Sequence, residues 1–319
     1  MATINTNTGL PKTGAPRYHF DIYAVVEGAQ ELYFGHETQV NVNIVETVRI
    51  ATDEGEVEKC YISPTKRRGV ERRSLIWAPV QDEGVLLGDK LGCGVPHTCA
   101  QPDCPICAVY GALITSKATV EVMGQEEERA ERTFIGRLVH GGGVAIQLQN
   151  VEEKQRAMHP SMMNKDPGED PTPTPFKRQY NEPGLLYPIY NHCLSITEDE
   201  FSAVAYSFLD ALARLGAGNP KGVKIYEGEL LKGHEPLLVV DRYLVPLGKR
   251  PVVSPSEMRV DAALEQFRSD ALTVKGTQVD TEEITEELFT RWIGDAALAY
   301  LQDRAATFAK QHLASKEDE

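Results

Sequence analysis

Four of the six cysteines of this chain lie within fifteen positions, in the stretch GCGVPHTCAQPDCPIC (92–107). A cluster of this kind restricts the fold, because its thiols must converge if they bind one ion or pair as disulfides. The terminal C-x2-C is the short turn from which two thiolates reach one tetrahedral ion. The spacing therefore predicts a metal site, with a disulfide cluster as the competing interpretation. The predicted ligands are Cys93, Cys99, Cys104 and Cys107.

Four soft ligands favour zinc, with an iron–sulfur cluster as the alternative metal group and free or redox-active thiols as the alternative without a metal. Because four thiolates close the coordination shell, we predict a structural zinc ion that holds an inserted loop of about residues 85–115. His97 lies inside the loop. The sequence alone leaves open whether His97 replaces a cysteine as a ligand.

The compartment bears on the choice between metal and disulfide. No apolar run approaches the roughly 20 residues that a membrane helix needs, and the N-terminus lacks the pattern of a secretory signal. We therefore expect a cytoplasmic protein with no membrane partner, where disulfides are rare. The remaining thiols, Cys60 and Cys193, are expected to be buried side chains.

The charge of the chain is uneven. Its formal net charge of -14 argues against simple polyanion binding, and fourteen acids against seven bases follow from Pro255 onward. In contrast, KRRGVERR (66–73) holds five cations and one acid. A local basic stripe still permits nucleic-acid binding, and a solvated basic face is the alternative. The candidate phosphate contacts are Lys66, Arg67, Arg68, Arg72 and Arg73.

The periodicities predict an α+β fold. Strands are expected at 18–26, 38–50, 59–64, 185–196, 223–231 and 236–245. A helix is expected after a capping box of Thr197 and Glu200, with apolar residues at helical spacing up to Leu215. This order suits an RRM or ferredoxin-like palm over residues 1–250. Two acidic helices, about 256–272 and 281–312, are expected in a C-terminal extension, residues 251–319, packed on the palm.

Two loops offer further contacts. The proline-rich excursion 151–183 cannot form a continuous helix or a central strand, and it is either a functional projection or a disordered linker. The candidate residues for wedging between RNA bases are Met158, Met162, Met163 and Phe176. The cations Lys177 and Arg178 follow directly after Phe176. The glycine-rich loop 216–222 suits close approach to a phosphate or is an ordinary helix C-cap. Its candidates, with one cation just beyond it, are Gly218, Asn219, Lys221 and Lys224.

The order of these features resembles a known family. ELYFGHETQVN follows the first strand, then come ISPTKRRGVERR, a cysteine cluster ending CPICAVYG, the proline-rich excursion, a strand–helix pair ending ARLGAG, and NPKGVKI. Over about residues 15–250 the chain resembles the backbone subunit of CRISPR Cascade complexes, the "Cas-seven" branch of the RAMP proteins. The type I-D version is the most similar, and its members also carry a zinc-type cysteine cluster.

The resemblance implies an RRM-like palm with insertions, arranged as a hand. It implies copies that polymerise head to tail along the spacer part of a guide RNA (crRNA), beside other Cascade subunits, and present it for pairing with target DNA in antiviral defence. A thumb-like hairpin, here the excursion 151–183, is implied to cross the guide and flip out a base. No RNP1 sequence is present, so base stacking on the sheet is not expected.

Two other functions remain open. Backbone relatives in type III complexes cut target RNA with an aspartate in the loop after the first strand, where this chain has His36 and Glu37. The absent aspartate favours a non-catalytic subunit, and a metal-dependent nuclease at Glu37 is the second hypothesis. The third is a zinc-stabilised interaction protein without a nucleic-acid role.

Overall fold

The structure is a computed structural model. It describes residues 9–32, 37–39, 42–53, 55–81, 84–129, 131–148, 152–157, 175–216 and 222–314. The helices are α1 Pro64–Ile76, α2 Leu87–Leu91, α3 Pro105–Tyr110, α4 Glu198–Leu212, α5 Val260–Ala271 and α6 Asp295–His312.

The strands are short except for two of eleven residues each. They are β1 Tyr18–Gly28, β2 Glu37–Gln39, β3 Val42–Ile44, β4 Thr47–Thr52, β5 Gly55–Cys60, β6 Ala112–Ile114, β7 Ala118–Val122, β8 Gln125–Arg129, β9 Arg132–Phe134, β10 Leu138–Gly142, β11 Glu152–Ala157, β12 Pro175–Tyr180, β13 Leu186–Ile196, β14 Val223–Ile225, β15 Glu227–Glu229, β16 His234–Pro236, β17 Leu238–Tyr243, β18 Thr273–Val274, β19 Thr277–Gln278, β20 Glu283–Glu286 and β21 Phe289–Ile293.

A large antiparallel sheet organises the molecule. Among the described residues it has seven strands in the order β10-β13-β1-β17-β21-β20, and β14 pairs with one end of β1. The long strands β1 and β13 lie at its centre, so both faces of β1 are largely buried. The predicted α+β class is confirmed by this sheet and the helices around it.

The alternation of side chains along β1 divides the core in two, because successive residues of a strand point to opposite faces. Phe20 and Ile22 pack with buried residues of α1, α4 and α6. Tyr23 and Val25 pack on the other face with buried residues of α5. We call these the α4 face and the α5 face of the sheet.

The chain order positions the insertions. β1, α1, β10, β13, α4 and β17 follow one another as strand, helix, strand, strand, helix, strand, and in space the strands are ordered β17-β1-β13-β10. The cysteine loop is inserted between α1 and β10. The hairpin β11–β12 lies between β10 and β13 and joins a separate four-stranded sheet with β3 and β2.

The capping box at the start of α4 is confirmed. Thr197 Oγ1 accepts a hydrogen bond from the Glu200 N–H at 3.2 Å, and the Glu200 carboxylate accepts one from the Thr197 N–H at 2.8 Å. Both exchanges satisfy amides that a helix N-terminus otherwise leaves unpaired.

Several predicted elements were wrong in extent. The expected strand 59–64 ends at Cys60, and the expected strand 223–231 is divided into β14 and β15. The expected strand 38–50 is divided into β2, β3 and the start of β4. The expected helix 281–312 begins only at Asp295, because Phe289–Ile293 (FTRWI) is rich in β-favouring residues, is wholly buried and pairs with β17. The C-terminal region is thus partly a strand of the central sheet instead of a purely helical extension.

Among the described helices, none is long and apolar enough to cross a membrane.

Candidate metal centre and candidate RNA-binding surface

The four clustered cysteines converge on one buried point. Their sulfur atoms all lie within 4.8 Å of one another, and Cys107 Sγ lies 3.5 Å from Cys93 Sγ and 3.6 Å from Cys99 Sγ. A disulfide requires about 2.05 Å, so these contacts are not disulfides. A tetrahedral ion with bonds of about 2.3 Å separates its sulfur ligands by about 3.8 Å. The arrangement is therefore compatible with a metal site.

The C-x2-C end of the cluster is formed by the start of α3. Cys104 is the N-cap of this helix and Pro105 its first residue, a position that suits proline because no N–H is needed there. The Cys107 backbone N–H donates to Cys104 Sγ at 3.5 Å. The helical turn thus brings Cys104 and Cys107 together, as their spacing predicted.

Arginines from three elements hold the rest of the cysteine loop. Arg72 of α1 donates to Gly94 O at 3.3 Å, Arg129 of β8 to Thr98 O at 2.9 Å, and Arg132 of β9 to Ala100 O at 3.1 Å. A divalent ion with four thiolates carries a net charge of -2. Guanidinium groups beside the loop favour that charge, so the surroundings fit the group.

The thiols themselves require a cation if all four are to ionise. Hydrogen bonding with Cys107, Cys93 and Cys99, together with burial, raises the pKa of Cys104 well above its ordinary value. A bound metal reverses this effect, because a coordinating thiol is deprotonated.

His97 is not part of this group. Its side chain is exposed, and the metal-competent group found among the described residues contains the four cysteines without it. Its backbone instead accepts a hydrogen bond from the Gly94 N–H at 2.7 Å.

The basic run forms the helix α1, and the prediction of a phosphate contact for Arg67 is wrong. Arg67 is 1% exposed. Its guanidinium donates to Gly141 O at 2.9 Å and Tyr190 O at 3.2 Å, and it also contacts Asn191 and Glu71. The helix turns Arg67 onto the sheet, four residues before the acid that balances it.

The other cations of α1 also have partners within the fold. Arg68 donates to Leu138 O at 3.0 Å and to Tyr110 O. Lys66 pairs with Glu46 at 2.8 Å, and Arg73 lies over the Trp77 ring at 5.9 Å. Their RNA contacts stay a prediction, and each cation already has a structural role.

The remaining predicted contacts lie elsewhere. The Lys224 side chain is 63% exposed and pairs with Glu27 at 2.9 Å. Phe176, Lys177 and Arg178 lie in β12, and Glu37 begins β2. Outside the described residues lie Met158, Met162, Met163, Gly218, Asn219, Lys221 and His36.

Sequence reasoning missed a polar cluster on the α5 face. Asp21 of β1 lies directly opposite His192 of β13, and the Asp21 carboxylate contacts His192 Nδ1. The available signal was the polar residues at alternate positions of the strand YHFDIY, which are unusual in a central strand. Their partner could not be identified without the strand register.

Comparisons with known proteins find no family model that matches, and no curated protein matches the chain. Solved structures are similar to the chain, and three of them are described here. One is a crystal structure of Thermofilum pendens Csc2, at 15% identity and TM-score 0.34 over 71% of this chain and 66% of that one, just under two thirds. A chain of a type IV-B CRISPR complex has 15% identity and TM-score 0.36 over 75% and 96%. A chain of a CRISPR RNA-guided surveillance complex has 12% identity and TM-score 0.39 over 79% and 82%.

Proposed function

We propose that this protein is a guide-RNA-binding backbone subunit of a CRISPR effector complex. In this role copies of the chain polymerise along the spacer part of the guide, beside other Cascade subunits, and present it for pairing with target DNA. The type I-D complex is the version we propose.

The observation that carries the proposal is the order of strands and helices in the central sheet. These elements follow one another as strand, helix, strand, strand, helix, strand, and the strands lie in the spatial order β17-β1-β13-β10. This is the arrangement of ferredoxin-like and RRM palms. The motif order of the sequence implied such a palm with insertions between its elements. The cysteine loop lies between α1 and β10, and the hairpin β11–β12 lies between β10 and β13.

The metal that best suits the cysteine centre is zinc. Four buried thiolates form the closed shell of a structural site, with no position left for a substrate. Cys93, Cys99, Cys104 and Cys107 would hold the ion, which would fix the loop between α2 and α3 onto the palm. This stabilising role is independent of any RNA contact.

The RNA contacts are assigned to the hairpin and the glycine-rich loop instead of the interior of α1. RNA held ready for pairing is gripped by its phosphates, for which cations and backbone amides are suited. Lys177 and Arg178 lie on β12, and Lys221 follows in the loop 216–222. Phe176 and the three methionines of the excursion are the proposed wedges.

Binding of labelled single-stranded RNA tests this role. The triple variant Lys177→Ala, Arg178→Ala, Lys221→Ala is compared with a control of equal charge change, Lys232→Ala, Arg259→Ala, Lys275→Ala, whose cations are exposed. We expect the first variant to bind RNA at least ~10-fold more weakly, and its dependence of log K on log salt to be shallower. The control should keep the affinity of the wild type.

Equal affinities of the two triple variants would contradict the assignment of the hairpin and loop. Absence of RNA binding by the wild-type protein, at low salt and with zinc present, would favour a zinc-stabilised interaction protein instead. The nuclease hypothesis has its own test. Regular Mg²⁺-dependent cuts in a target strand that disappear in Glu37→Ala would overturn a non-catalytic backbone.

A further inference from the structure

A tryptophan is exposed at the end of α1. Trp77 follows the last residue of the helix and is 49% exposed. Among the tryptophans and phenylalanines whose exposure the structure describes, only Trp77 is exposed. Pro79 comes two residues later and is bridged to Leu86, and both of these residues are also exposed. An exposed tryptophan with apolar neighbours is typical of a protein–protein contact, because tryptophan is enriched among the residues that carry binding energy.

The cation beside Trp77 is also available to a partner. The Arg73 guanidinium lies 5.9 Å from the centre of the Trp77 ring and forms no ion pair with an acid among the described residues. Arginine shares the preference of tryptophan for the centre of interfaces. The two side chains therefore suit a surface that offers an aromatic cavity beside a carboxylate.

A cavity of that kind lies beside β13. It has a volume of about 220 Å³, and an apolar cavity of about 150 Å³ is large enough to hold benzene. Its lining is mostly apolar, with two tyrosines, and comes from Tyr61 and from residues 142–146, 188–190 and 251–255. Its size and lining suit one aromatic side chain.

The walls of the cavity are held in place by hydrogen bonds. Lys59 is 1% exposed, and its Nζ donates to Pro255 O at 2.9 Å and to Glu257 O at 2.8 Å. These bonds fix the wall formed by residues 251–255. In the wall formed by residues 142–146, the Ile146 N–H donates to Leu186 O at 2.8 Å. Because the cavity is already formed, a side chain that enters it orders little of the protein.

The tyrosines of the cavity offer a partner for the indole. A buried tryptophan N–H usually has a hydrogen-bond acceptor. Neither the Tyr61 nor the Tyr190 hydroxyl has a hydrogen-bond partner among the described residues. Either oxygen is therefore free to accept the N–H of an indole in the cavity.

A carboxylate lies beside the same cavity. Glu46 O accepts from the Tyr61 N–H at 3.0 Å. Burial raises the pKa of Tyr61, and the nearby charge of Glu46 adds to this effect. The Glu46 side chain is 29% exposed and pairs with Lys66 at 2.8 Å. A guanidinium that arrives beside the indole, as Arg73 would, therefore meets an accessible acid of opposite charge.

One copy of the chain cannot fill its own cavity with Trp77. Tyr61 lies three residues before Pro64, the first residue of α1, and Trp77 follows the last one. Thirteen residues of helix hold these two ends about 20 Å apart. The indole must therefore come from another copy. Two different patches meet in such a contact, so it is heterologous and repeats from one copy to the next.

We propose that Trp77 of one copy inserts into this cavity of the next copy, with Arg73 against Glu46. The contact deepens the proposed function and rests on it in one respect, namely that copies of the chain associate in a row. It assigns the two surfaces that join them. The indole is the buried anchor of the interface, and Pro79 and Leu86 exclude water around it.

Photo-cross-linking tests where Trp77 binds. The full-length protein carries p-benzoylphenylalanine in place of Trp77 and is irradiated at submillimolar concentration without RNA. We expect a cross-linked dimer, in which mass spectrometry finds residue 77 of one copy joined to residues 142–146, 188–190 or 251–255 of the other. A dimer joined elsewhere, a cross-link within one copy, or the absence of any dimer would overturn the inference.

Mixing two variants tests whether the contact is heterologous. Trp77→Ala lacks the anchor, and Tyr61→Ala lacks an aromatic wall of the cavity. In sedimentation without RNA, each alone should self-associate at least ~10-fold more weakly than the wild type. An equimolar mixture retains one intact pair of surfaces, so it should form dimers and nothing larger. Leu244→Ala, at an exposed residue elsewhere, is the control and should associate like the wild type.

Unchanged association of Trp77→Ala, or a mixture that stays monomeric, would contradict the contact. Circular dichroism checks that Tyr61→Ala is folded, and Val252→Trp, which fills the cavity from its own wall, replaces it if it is not. RNA binding is measured separately, by fluorescence anisotropy of Trp77→Ala with an RNA too short for two copies. Loss of binding in that measurement would contradict the proposed function and leave the contact between copies standing.

Discussion

The carboxylate of Glu71 on α1 is buried against the α4 face of the sheet, where it contacts three polar side chains. His140 Nε2 lies 2.7 Å from its carboxylate, Asn191 donates at 3.0 Å, and Arg67 lies at 3.4 Å. Burial alone opposes ionisation, but the charges and hydrogen bonds of His140, Arg67 and Asn191 outweigh it and lower the pKa of Glu71. Each partner is needed because the carboxylate has no access to water.

Replacing Arg67 by methionine should therefore destabilise the fold strongly. The change leaves Glu71 buried without its guanidinium, and breaking a buried pair from one side costs about 3–5 kcal/mol. Urea unfolding of Arg67→Met measures this loss. Arg73→Met, at a half-buried cation stacked on Trp77, is the control and should lose less than about 1 kcal/mol. Similar losses in the two variants would contradict a structural role specific to Arg67.

The residues discussed above differ in how far their structural roles could be predicted from the sequence. The four cysteines were predictable, because ligand spacing within one loop is a local property. Arg67 was not, because the basic run gives no indication that the helix turns one of its five cations onto the sheet. Asp21 and His192 are 171 positions apart, so only the register of β1 against β13 brings them together.

At the scale of elements, α4 is tied to the sheet through its capping residue. The Glu200 carboxylate accepts from Arg137 at 2.7 Å and from Arg17 at 2.9 Å, in addition to the Thr197 N–H. Burial raises the pKa of Glu200, but Arg137, the Thr197 N–H and Arg17 together lower it below its ordinary value. The ionised carboxylate therefore stabilises the folded state.

Glu200→Gln should cost about 2 kcal/mol at pH 7, the range of hydrogen bonds to charged groups. Because the folded pKa is lowered, the stabilisation is fully present above the unfolded value of about 4.3 and is lost as pH falls through the folded pKa. Urea unfolding from pH 7 to 3 should show a constant difference from the wild type above about pH 5 that narrows at lower pH. A difference that persists unchanged at pH 3 would show that lost packing, not charge, is responsible.

The cysteine loop is the element whose stability should depend on metal. Cys104→Ser removes one ligand of a closed site, so we expect loss of bound zinc and a fall of more than about 3 kcal/mol in the free energy of unfolding. Cys60→Ser is the matched control, since Cys60 is equally buried at 3% exposure and lies outside the cluster. Zinc analysis and urea unfolding of both proteins check this. Full zinc content in Cys104→Ser would contradict a four-cysteine site.

At the scale of the whole molecule, residues after 250 complete the sheet and cover it. Trp292 of β21 lies opposite Val240 of β17, and Trp292 stacks on Tyr300 of α6 at 3.8 Å. Phe308 of α6 lies 5.0 Å from Tyr206 of α4. The sequence predicted two helices here because the segment is acidic and amphipathic. The strand β21 could not be identified from the sequence alone, because it depends on pairing with β17.

A chain ending at residue 250 should consequently fail to fold as an independent palm. Such a truncation exposes the apolar surfaces of β17 and α4, which β21 and α6 bury, and it also removes the α5 cover of the opposite face. Circular dichroism and urea unfolding should show no cooperative transition, whereas a chain ending at Ala314 should unfold like the full-length protein. A folded, cooperative 250-residue fragment would contradict this prediction and support the two-part organisation expected from the sequence, with a sheet that is stable without β21.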